Sequence, residues 1–87
     1  APPLNDGVTV NLDTMRLRWR NGASEEVRQW VVSTRYGLKW RQYVLGPDTL
    51  EYIAPRLQGG LPLIEFQVQA VDRVGNVSAP MALRLRR

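Results

Sequence analysis

The chain has 87 residues, enough for one domain spanning 1–87, and 44% of them are apolar, including three tryptophans; that hydrophobic content offsets the entropy of ordering and argues against disorder. Cysteine and histidine are absent, which rules out disulfide staples and thiolate or imidazole metal sites. Eleven arginines and one lysine against eight acids give a net charge of +4, but the basic residues alternate with apolar ones, as on a solvated surface, and form no basic tail.

Period-two alternation between turn residues is the dominant signal and predicts seven short strands. The first covers residues 8–11, behind Pro2-Pro3. The second, residues 14–20, puts Met15, Leu17 and Trp19 on one face and Arg16, Arg18 and Arg20 on the other. Asn21-Gly22 turns the chain into the third strand, residues 27–35, with Trp30, Val32 and Thr34 inward. The fourth runs over 39–45 and stops at Gly46-Pro47-Asp48, where proline presets a turn angle. The fifth covers 49–54, and Pro55 with Gly59-Gly60 marks a longer corner. The sixth, 63–71, places Ile64, Phe66, Val68 and Ala70 on one face against Glu65, Gln67 and Gln69. Residues 72–76 form a loop before the last strand, 77–86, where Leu83 and Leu85 alternate with Arg84 and Arg86. Seven half-buried strands at this spacing predict an all-β, antiparallel sandwich. Its expected core is Leu17, Trp19, Trp30, Val32, Ile64, Phe66, Val68 and Ala70.

Three stretches carry a family resemblance. Leu17-Arg18-Trp19 resembles the second-strand Leu-x-Trp of fibronectin type III domains. Trp30-Val31-Val32-Ser33-Thr34 resembles their third strand. Ile64 to Asp72, followed by Gly75-Asn76-Val77-Ser78-Ala79-Pro80, is similar to their sixth strand, loop and seventh-strand start. Leu57 falls where the family keeps a corner leucine, and the resemblance implies that it too belongs to the core. The resemblance implies a seven-stranded, immunoglobulin-like sandwich. Where the family has a corner tyrosine this chain has Ile64, so the corner is expected to be shaped by Gly59-Gly60 and Pro62, without a tyrosine tether. Such divergence is common in bacterial relatives, and Gly37-Leu38-Lys39-Trp40 resembles a fourth-strand pattern of modules that end periplasmic sensor regions.

Catalysis has little to draw on. The only adjacent acids, Glu25-Glu26, sit in a loop, and Ser24, Ser33 and Ser78 have no histidine to activate them. Gly59-Gly60 lacks the lysine and hydroxyl of a phosphate loop. No catalytic, cofactor or metal residue is expected. The row Arg16, Arg18, Arg20 can track an anionic polymer or pair across the sheet with acids such as Glu51; the second is favoured, and nucleic acid is disfavoured as a partner. Trp40, with Tyr43 and Tyr36 near in sequence, is a candidate aromatic platform for a sugar, or a cover for the sheet edge. The loop residues Asp72, Arg73 and Asn76 are candidate partner contacts, although Asp72 is also suited to bond its own loop backbone. Asn76-Val77-Ser78 fits an N-glycosylation pattern, which matters only in a eukaryotic secreted protein.

The expected role is a non-enzymatic spacer or protein-contact module of a larger extracytoplasmic, bacterial protein, with other domains of that polypeptide, a protein or a glycan as partners. The alternatives are a carbohydrate-binding accessory of a glycan-active enzyme and a sensor-region domain of a receptor kinase. No run of residues is long and apolar enough to enter a bilayer.

Overall fold

A computed structural model describes residues 2–23 and 26–85; Ser24, Glu25 and Arg86, named above, lie outside them. The described residues form eight strands and no helix: β1 Leu4–Val10, β2 Thr14–Arg20, β3 Gln29–Tyr36, β4 Lys39–Leu45, β5 Glu51–Pro55, β6 Leu57–Gln58, β7 Leu61–Val71 and β8 Met81–Arg84. One antiparallel sheet has the order β1-β2-β5. The other has the order β4-β3-β7, with β6 and β8 both pairing β7.

The inward positions of β2 and β3 meet between the sheets, as their alternation requires. Leu17, Val32, Phe66 and Val68 are fully buried, and Trp19 and Trp30 are each 1% exposed. The two indoles pack edge to face with centroids 6.1 Å apart, a geometry their quadrupoles favour. Trp30 Nε1 donates to the Pro47 carbonyl at 3.0 Å, pinning the β4-β5 turn to the core. Ala70 packs against the cluster as a partly buried neighbour.

Two glycine hairpins set the corners. Gly37 has φ +62°, as a type II′ turn needs at its first central position, and so pairs Tyr36 with Lys39. Gly59 and Gly60 have φ +57° and +79°, both positive as in a type I′ turn. This tight hairpin is why eight strands form and not seven: Leu57 and Gln58 pair back onto Pro62 and Leu61.

Three expectations for the corner are corrected. Leu57 is 62% exposed, because its two-residue strand lies at the sheet margin and not between the sheets. Ile64 is only half-buried. A bulge in β7 pairs Arg35 with Glu65 but Tyr36 with Leu63, so one residue drops out of phase; Leu63, 5% exposed, takes the core position. The corner also has a tyrosine tether, supplied by another strand: Tyr36 Oη donates to the Pro55 carbonyl at 2.6 Å.

Candidate partner-contact surfaces

The aromatic platform does not assemble. On β4, Tyr43 pairs with Val32 and so faces inward, whereas Trp40 pairs with Arg35 and faces outward. Tyr43 stacks on Tyr52 with centroids 5.1 Å apart, and Tyr52 meets Phe66 edge to face. Burial first, then the hydrogen bond with Tyr43, pushes the Tyr52 hydroxyl up to about 12. Tyr36 is 4% exposed, and burial followed by the neighbouring Tyr43 raises its pKa as well. These three tyrosines close the side of the sandwich where β4 and β5 approach.

Trp40 instead begins a cross-strand row that the sequence reading missed. Register places Trp40, Arg35, Glu65 and Arg84 side by side on β4, β3, β7 and β8, all outward. The Arg35 guanidinium lies 5.4 Å from the Trp40 ring centroid and donates to Glu65 Oε1 at 3.2 Å. Gln67 donates to Glu65 Oε2 at 2.9 Å, and Arg84 Nε lies 4.0 Å from Oε1. The Glu65 side chain is only 6% exposed. The Gln67 hydrogen bond and then the two arginines hold its carboxyl below the usual range, against the opposing effect of burial. Trp40 remains 46% exposed. The signal for this row was the Gly37 hairpin, whose turn type fixes Arg35 opposite Trp40.

The loop after β7 turns its polar groups inward on itself. Asp72 Oδ1 accepts from the Val74 and Asn76 amides at 3.0 and 2.9 Å, and Oδ2 accepts from Asn76 Nδ2 at 3.2 Å. These bonds, the Asn76 amide foremost, lower the Asp72 pKa. Asp72 and Asn76 are therefore engaged in shaping the loop, while Arg73 points outward to an exposed ion pair with Glu26 at 3.8 Å. Ser78 Oγ accepts from the Ala70 amide and donates to the Ala79 carbonyl. A shallow cleft of about 240 Å³ lies beside this loop, lined by Asn21, Glu26, Val27, Asp72, Asn76 and Ser78.

At the other pole, an apolar groove of about 460 Å³ is lined by Val10, Leu12, Met15, Leu57, Leu63 and Leu85. On the outer face of the smaller sheet, Arg16 Nε lies 3.9 Å from Glu51 Oε1, the partner expected from sequence; Arg18 and Arg20 are exposed. Among the described residues, no group of three or more His, Cys, Asp or Glu side chains is placed to hold a metal ion, and no helix is long and apolar enough to cross a membrane.

No family model and no curated protein match the sequence. Solved structures that share the fold include the following two. One is a pectate lyase of Erwinia chrysanthemi in complex with tetragalacturonic acid, 18% identical, with a TM-score of 0.70 over 94% of this chain. The chain spans only 28% of that enzyme's length. The other is a myokine, 20% identical, with a TM-score of 0.58 and complete coverage of both chains.

Proposed function

We propose that the chain is a divergent fibronectin type III module acting as a non-catalytic spacer or protein-contact unit within a larger extracytoplasmic polypeptide of bacterial origin. The family reading draws support from the division of the strands, with β1, β2 and β5 on one sheet and β3, β4, β7 and β8 on the other, which suits such a sandwich. The spacer role rests above all on the path of the backbone. Leu4 pairs with Arg20 at one pole, and the Leu85 amide bonds the Ile64 carbonyl near the other, along a body 39 Å long and 23 by 19 Å across. A chain that enters at one end and leaves at the other can be threaded in line. The likeness to about a quarter of a pectate lyase supports the idea that this fold serves inside longer proteins.

The test is to join copies end to end. A spacer predicts that each copy unfolds at the midpoint of the single copy and that scattering length grows in proportion to copy number. Collapse of tandem copies into a compact particle would contradict it.

A second reading, a carbohydrate-binding accessory domain, is favoured by the tetragalacturonic acid bound to the pectate lyase and by the exposed Trp40. Trp40 would have to act without Tyr43. Titration of wild type and Trp40→Ala with soluble glycans, neutral ones and oligogalacturonates alike, decides it: the reading expects wild-type binding that the variant loses, and a wild type that binds none rejects the platform.

A further inference from the structure

We propose that the outward face of the β1-β2-β5 sheet docks a linear acidic polysaccharide, a polyuronate, through Arg18 and Arg20 with Arg16 as a third rung. β2 is the central strand of this sheet, so its alternate side chains stand in a straight row, about 6.5–7 Å between rungs. The face is unevenly neutralised. Arg16 reaches Glu51 at 3.9 Å, yet its Nε is shielded from solvent with no hydrogen-bond partner. Arg18 and Arg20 are exposed and make no ion pair among the described residues. Asp6, in the β1 bulge opposite Arg18, makes none either. The other sheet handles its outward arginines differently, since Arg35 and Arg84 both converge on Glu65. Arg18 has Glu51 and Asp6 as cross-strand neighbours but forms an ion pair with neither, and Arg20 faces Leu4, so both guanidiniums are left to take a carboxylate from outside.

The rest of the face selects the occupant. Register brings Thr9 and Ile53 beside Arg16, Glu51 beside Arg18 and Leu4 beside Arg20, and no aromatic ring lies among these outward positions. Single-stranded nucleic acid relies on aromatic stacking platforms, and duplex readers insert a helix or ribbon into a groove; this flat sheet offers neither. A polyuronate carries a planar carboxylate on every sugar, and the guanidinium fork matches that group with two parallel hydrogen bonds. The proposal goes beyond the module reading and is independent of it: tandem copies that collapse leave it standing, and failure here leaves the spacer role untouched.

The probe is sodium polygalacturonate at low ionic strength, followed by calorimetry and affinity electrophoresis. Wild type should bind, with affinity falling steadily as salt is raised. The double variant Arg18→Gln/Arg20→Gln should bind about tenfold more weakly or worse, since two charge-assisted contacts are gone. Arg28→Gln/Arg41→Gln removes the same charge away from this face and should bind as wild type does. Glu51→Gln frees Arg16 and should tighten binding. Circular dichroism checks that each variant folds. The proposal is overturned if wild type does not bind, or if both double variants lose affinity equally, which would make net charge the cause. Equal binding of fully methyl-esterified polygalacturonate, or tighter binding of a single-stranded oligodeoxynucleotide of matched charge, overturns it too.

Discussion

Thr34 is 1% exposed, and its Oγ1 finds no hydrogen-bond partner among the described residues. Burying a hydroxyl without a partner costs more than a hydrogen bond returns, so Thr34→Val, which keeps the shape and deletes the oxygen, should stabilise the fold by about 1 kcal/mol. Chemical denaturation would show it as a higher midpoint at unchanged slope; a lower midpoint would mean that the hydroxyl has a partner. Glu65 is the opposite case, a nearly buried carboxylate that is well supplied. Its folded pKa lies below the ordinary 4.5, so as pH falls the unfolded chain takes up the proton first. The stabilisation is therefore complete above the ordinary carboxylate range and drains away as pH drops through the folded value. Glu65→Gln should cost about 1–2 kcal/mol at neutral pH, with the gap to wild type closing in acid. A gap that stays constant on acidification would sever the link to ionisation.

The bulge in β7 shows what period-two alternation conveys and where it stops. Alternation along β2 and β3 located Leu17, Trp19, Trp30 and Val32 correctly, because those strands run unbroken between the sheets. It carried Ile64 into the core along with Phe66 and Val68, since nothing in the letters marks a one-residue slip. The slip falls at Tyr36, which pairs with Leu63 across the ladder and donates to the Pro55 carbonyl across the corner. Leu57 was placed by family resemblance, and the Gly59-Gly60 hairpin turned it outward instead. Of the Trp40–Arg35–Glu65–Arg84 row, only the first pair was within reach, through the Gly37 hairpin; the rest depends on the registers of two further strand pairs. Substitution separates the two leucines. Leu63→Ala should lose about 2–4 kcal/mol as a core truncation, whereas Leu57→Ser should stay within about 0.5 kcal/mol of wild type. Comparable losses would return Leu57 to the core.

The two long sides of the sandwich are closed to different degrees. On one, Tyr43 from β4 and Tyr52 from β5 stack across the gap between sheets, with Tyr36 tied to Pro55 beneath them. On the other, β1 has no buried residue: Val8 is 37% and Val10 55% exposed although both pair with buried partners on β2. β1 bonds only β2, and Gly7, at φ +124°, breaks its register midway. β3 and β7, by contrast, run the length of the larger sheet and carry Trp30, Val32, Phe66 and Val68 between them. Local opening follows the least buried apolar surface, so β1 should detach before the body unfolds. Native-state hydrogen exchange should then show β1 amides exchanging through a low-energy opening while β3 and β7 amides exchange only with global unfolding. The same opening would leave the Arg16–Arg20 row on β2 anchored through β5 alone, so a polyuronate that grips this row should not slow exchange in β1 unless it also spans Thr9. Uniform protection across β1, β3 and β7 would show that the sandwich opens as one unit, and that the untied side is held by more than the β1-β2 ladder.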